Sequence, residues 1–114
     1  MPSETAPHER TWMAWPSQGY TLGDTAEEVE KARRTWAAVA NAVVEFEPVR
    51  MVVVPADEAV AKRYLNPDVE LVPAALDDAW MRDIGPTFVL GDDGRLGAVD
   101  WVFNGWGAQS WASW

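Results

Sequence analysis

The sequence predicts an α/β or α+β domain with a mixed sheet. Three observations predict it. Short β-branched or aromatic runs recur along the chain, one long segment without Gly or Pro has helical periodicity, and an Asp-Gly turn separates two further apolar runs.

Thr11 to Trp15 (TWMAW) is an aromatic and apolar run closed by Pro16, and Ser17-Gln18-Gly19 reads as loop, so a short strand and a turn are expected. Asp24 has Glu27 three places on, the spacing of a capping box, and Thr25 to about Phe46 is rich in Ala, Glu, Lys and Arg. Val29, Ala32, Trp36, Ala40 and Val43 recur within it at three and four residues, which places them on one helix face. Pro48 ends that helix. Val49 to Val54 (VRMVVV), bounded by Pro55, has the β-branched character of a buried, parallel central strand. Asp57 to Leu65 has helical composition with Ala59, Val60 and Tyr64 on one side, and Asn66-Pro67 stops it. Val69 to Pro73 (VELVP) alternates as a strand does. Thr87 to Leu90, the Gly91-Asp92-Asp93-Gly94 turn and Leu96 to Phe103 predict a hairpin, because Asp-Gly tolerates the positive φ of a tight turn.

Composition bounds the function. The 114 residues carry 18 acidic against 9 basic side chains, for a net charge of −9, and a pI near 4.4. Phosphate neutralisation needs clustered Lys and Arg, so a nucleic-acid partner is excluded. There is no cysteine, which excludes a disulfide scaffold and a thiolate metal site and removes the best intracellular nucleophile from these residues. At 48% apolar content, a chain of this size buries roughly two thirds of its unfolded surface and supports one core. Met1 to Arg10 is polar, and no stretch approaches the roughly 18 apolar residues of a membrane span. The reading is a cytoplasmic chain with no membrane partner. The last fourteen residues hold Trp101, Trp106, Trp111 and Trp114 with Gly105 and Gly107 between them. A domain rarely ends on unpaired large aromatics, so the chain is expected to be a fragment of a longer domain, and its exposed apolar end to favour a homo-oligomer.

Chemistry concentrates in Asp77-Asp78-Ala79-Trp80-Met81-Arg82-Asp83-Ile84-Gly85-Pro86, which brings three carboxylates, a guanidinium and a tryptophan together before a loop-forming Gly-Pro. A carboxylate fixed there can accept two parallel hydrogen bonds from a planar cation, and Trp80 offers a π-face to the same charge. The plainer reading is that Asp77 and Asp78 cap a loop and Arg82 pairs with Asp83. His8 is the single histidine, and its place near the terminus fits a surface side chain better than a general base. Trp12 and Trp15 lie on opposite or offset faces of a short strand, so one belongs to the core and the other is free to line a pocket; plain packing accounts for either. Asn104-Gly105-Trp106-Gly107 can bring backbone close to a ligand or simply reverse the chain. Its spacing is not that of a phosphate-binding glycine loop.

Three blocks, His8 to Pro16 (HERTWMAWP), Trp80 to Thr87 (WMRDIGPT) and Val99 to Gly107 (VDWVFNGWG), closely resemble in order and approximate spacing the amino-terminal third of the agmatine deiminase family, grouped with bacterial-type peptidylarginine deiminases. The resemblance implies a pentein fold, five ββαβ modules in a propeller-like ring, with residues 1–114 supplying the first module and the start of the next within one catalytic domain. It implies hydrolysis of a small cationic guanidino substrate to a ureido product with release of ammonia, without metal or organic cofactor. The family's cysteine nucleophile and histidine base would lie beyond residue 114. Residue by residue, Asp83 matches the aspartate that holds the substrate guanidinium and Trp80 the tryptophan that helps form its pocket; Trp15, Asn104 and Trp106 are the further substrate-binding candidates. After Trp106-Gly107 the family commonly continues with Gly and Lys, whereas Ala108-Gln109 and Ser110-Trp111 follow here. The resemblance therefore leaves the substrate open between agmatine and peptidyl arginine. A reading from another class is a tryptophan-rich acidic module that binds sugars or cations by stacking and performs no chemistry.

Overall fold

The computed structural model describes residue 3, residues 5–102, and residues 104 and 107. They form two compact units, one spanning Pro7–Met81 and the other made of the described residues among 1–6 and 82–114. In the first unit the chain runs β1 (Thr11–Ala14), α1 (Ala26–Val43), β2 (Val49–Val53), a 3-10 turn (Pro55–Asp57), α2 (Glu58–Ala61) and β3 (Glu70–Pro73). The three strands form one parallel sheet in the order β1-β2-β3. The expected central parallel strand is thus in place. It is buried in alternation rather than continuously: Val49, Met51 and Val53 are buried, while Arg50 and Val52 are half-buried.

The alternation separates two rows of side chains, because successive residues of a strand point to opposite faces. Met13, Met51 and Leu71 are in register on the core side. There they join Trp15, Ala37, Ala40, Ala61, Leu65 and Val69. Burying each of the larger apolar groups stabilises the fold by about 1.5 to 3 kcal/mol. On the other face Trp12, Arg50 and Glu70 are in register. The Arg50 Nε donates to Glu70 at 2.7 Å, and its guanidinium lies 5.3 Å from the Trp12 ring centroid. Trp12 is therefore held by a structural cation–π contact.

The α1 cap differs from the expected spacing by one residue. Thr25, not Asp24, is the N-cap: its side chain accepts the Glu28 backbone N–H, and the Glu28 carboxylate takes the Thr25 backbone N–H at 2.9 Å. Gly23 explains the shift, since its φ of +81° turns the chain into the helix and a Cβ there would come within 2.5 Å of the Glu28 Cβ. The helix meets the core through Ala32, Ala37 and Ala40, while Trp36 stays half-buried on its flank. Alanines let the axis approach; an indole in the same row would hold it off. α2 ends at Ala61 rather than at Leu65; Ala61 and, beyond the helix, Leu65 are buried, whereas Ala59, expected on the apolar side, is exposed.

The second unit contains β4 (Thr87–Leu90) and β5 (Leu96–Val99), paired antiparallel with Thr87 opposite Val99 and Leu90 opposite Leu96. Gly94, with φ +77°, closes the predicted turn, and Asp93 accepts the Arg95 N–H at 3.1 Å. β5 ends at Val99 rather than at Phe103, which lies outside the described residues. Its partner strand starts at Thr87, directly after Pro86, and proline cannot donate to a ladder. Among the described residues no helix is long and apolar enough to cross a membrane.

Candidate functional site

No strand or helix organises the chain between Pro73 and Met81, so side-chain contacts must place Trp80. Within the first unit, Gln18 Nε2 donates to the Leu76 carbonyl at 2.9 Å and Thr21 Oγ1 donates to Asp78 Oδ1 at 2.6 Å. Asp78 Oδ1 also accepts the Ala79 N–H at 2.7 Å. Asp78 thus fastens its own loop, as the plainer reading of the acidic run expected. Gly19, at φ +78°, brings the β1–α1 loop so close that a Cβ there would sit 3.2 Å from the Asp77 carbonyl. The Trp80 ring meets Trp36 with centroids 5.4 Å apart and planes at 71°. This edge-on packing suits the aromatic quadrupole. Trp80 remains 48% exposed, so it is anchored and still offers aromatic surface.

Asp83 lies in the single turn Met81–Ile84, at a residue of the second unit, and it is exposed. Asn104 Oδ1 accepts the Gly107 N–H at 3.0 Å and so acts as a local turn cap. Trp106 lies outside the described residues. Trp15 is fully buried in the core of the first unit, with its ring 5.9 Å from Tyr64 and its backbone N–H on the Val52 carbonyl. Its Nε1 is buried with no hydrogen-bond partner among the described residues. Trp15 therefore packs the core here, because its position follows β1 directly and the ladder to β2 carries it inward.

The other residues of the HERTWMAWP block tie β1 to its surroundings. His8 Nδ1 lies 3.2 Å from Glu47 and Thr11 donates its hydroxyl to the same carboxylate. That hydroxyl bond is the main reason the Glu47 carboxyl lies below its usual range. A groove of about 510 Å³ opens between the β1–α1 loop and α1, with Tyr20, Asp24, Lys31 and Trp36 in its lining. Trp36 therefore faces both the groove and Trp80. Reading by periodicity put Trp36 with the helix core and gave Thr21 no role; a half-polar loop preceding a long helix was the signal available.

The Porphyromonas-type peptidyl-arginine deiminase family matches residues 1–113. A Streptomyces coelicolor protein provisionally named an agmatine deiminase is 64% identical over the whole chain, which covers 33% of that protein. An agmatine deiminase of Stutzerimonas stutzeri is 45% identical over 96% of the chain, covering 29% of its own length. Among solved structures, the agmatine deiminase of Enterococcus faecalis superposes with a TM-score of 0.78 at 37% identity, over 94% of this chain and 28% of that one. The chain thus spans about a third of the length of the relatives it matches.

Proposed function

The chain belongs to the Porphyromonas-type peptidyl-arginine deiminase family, and on that premise we propose that it is part of an enzyme that hydrolyses the guanidinium group of agmatine, giving N-carbamoylputrescine and ammonia. The observation that carries this reading is the Trp80-Met81-Arg82-Asp83 block, which lies within the residues 1–113 that the family matches. The names of the relatives favour agmatine over peptidyl arginine. In this reading Asp83 accepts parallel N–H donors from the guanidinium and Trp80 covers it with a π-face. In the same reading Asn104 and Trp106 are assigned to the part of the substrate remote from the guanidinium.

The chemistry explains the need for a clamp. A guanidinium carbon is a weak electrophile because its charge is delocalised over three nitrogens. The substrate must be oriented before a thiolate attacks that carbon. The tetrahedral adduct expels ammonia with a proton from an acid, and water then adds to the thiouronium carbon and releases the thiol. Residues 1–114 contain no cysteine, so we place the nucleophile and its histidine in the rest of the protein. The same reading assigns residues 1–114 to the first module and the start of the next in a ring of five ββαβ modules. It needs no metal or organic cofactor, places the enzyme in the cytoplasm and serves putrescine synthesis.

Ammonia release from agmatine by the protein of complete length tests the proposal. Steady turnover, with a peptidyl-arginine substrate slower by at least about tenfold in kcat/KM, is expected. Binding of neutral glucans without any ammonia from either guanidino compound would instead support the tryptophan-rich binding module.

A further inference from the structure

We infer that Thr21 and Trp36 are positioning residues for Trp80, an inference that rests on the substrate role proposed above for that indole. Neither residue belongs to the WMRDIGP block, and both act from the β1–α1 region. Trp80 ends a segment without regular backbone pairing, yet hydrogen bonds fasten its approach at Leu76, from Gln18, and at Asp78, from Thr21, while Gly19 passes close to the Asp77 carbonyl between them. The Thr21 bond is the shortest of these, at 2.6 Å, and the oxygen it meets also holds the Ala79 N–H. One carboxylate oxygen therefore links the loop to the backbone one residue before Trp80. Trp36 then restrains the ring itself at 5.4 Å.

A ring that is half exposed and unrestrained would sample several rotamers, and a cation binding to it would have to bear the ordering cost. Trp36 and the Thr21–Asp78 bond remove that cost beforehand. They act through Asp78 and the Trp80 ring and have no assigned part in the reaction, so their loss should weaken substrate binding and leave the chemical step nearly intact.

The test uses the protein of complete length and two measurements. The first is agmatine kinetics: Thr21→Val and Trp36→Ala should each raise KM, by about threefold and about tenfold respectively, with kcat held within about twofold. Thr21→Ser, which keeps the hydroxyl, and Trp36→Phe, which keeps an edge-on ring, should restore KM to within about twofold of the parent. The second is the far-ultraviolet exciton couplet of the Trp36–Trp80 pair, defined as the signal lost in Trp80→Phe. Thr21→Val should shrink it and Thr21→Ser should keep it. An unchanged KM in Thr21→Val and Trp36→Ala, or a full couplet in Thr21→Val, overturns the inference. If the parent protein releases no ammonia, the deiminase reading fails, and the couplet still decides whether Thr21 holds Trp80.

Discussion

A carboxylate that grips a guanidinium does so through charge as much as shape, and Asp83 can be tested on that distinction. Asp83→Asn preserves size and one acceptor oxygen but loses the charge-assisted pair, so kcat/KM for agmatine should fall by roughly 100-fold to 1000-fold in the complete protein. Steady-state ammonia release measures it. Near-parental activity would remove Asp83 from the substrate clamp. Asp83 and Trp80 were picked out as candidates because chemistry-bearing side chains crowd a few consecutive residues there. Thr21 was not, since it meets Asp78 across 57 residues of sequence, and only the folded chain brings the two together. Trp15 shows the opposite limit: as an aromatic beside a proline it fits a pocket wall or a core equally well, and only the β1–β2 pairing shows that it turns inward.

Local chemistry decides where elements begin, and small residues decide how they pack. The reciprocal Thr25–Glu28 cap satisfies two of the orphan amides at the start of α1. Thr25→Ala should cost about 1 kcal/mol, read as a lower denaturant midpoint at constant slope. Met51, fully buried at the centre of β2, is the more demanding position. Met51→Ala should destabilise the first unit by about 3 kcal/mol, because the sheet on both sides prevents collapse into the cavity. Strand positions in the sequence were accurate to a residue or so where β-branched runs meet proline, as at Val49 to Pro55. The cap was misplaced because Asp24 and Thr25 are both good N-caps, each with a glutamate three residues on. What separates them is the φ of Gly23, a feature of backbone geometry that composition does not carry.

At the scale of the whole molecule the acidity becomes a dependence of stability on pH. Glu28, Glu30, Glu47 and Glu70 in the first unit, and Asp93 in the hairpin, all have carboxyls held below their ordinary values. The main causes are hydrogen bonds, from Thr25, Tyr64, Thr11, Arg50 and the Arg95 backbone respectively. A group whose folded pKa lies below its unfolded one contributes stability above the unfolded value and loses it as pH falls through the folded value. All five therefore act in the same direction. The Tyr64 phenol runs the other way: its bond to Glu30 raises it, with Arg33 and Arg63 nearby opposing. Its contribution is present below the ordinary tyrosine value of about 10 and fades above the raised one. The thermal midpoint of the first unit, followed by near-ultraviolet dichroism, should hold near neutrality and drop between about pH 5 and pH 3. Glu30→Gln should shallow that acid limb, because Arg34 and Tyr64 lose a carboxylate that charges on folding. In the same variant the phenol should titrate at lower pH by absorbance. A midpoint that stays level down to pH 3 would show that these bonds form equally in the unfolded chain, and the net charge of −9 would then be solvated surface with no hold on the fold.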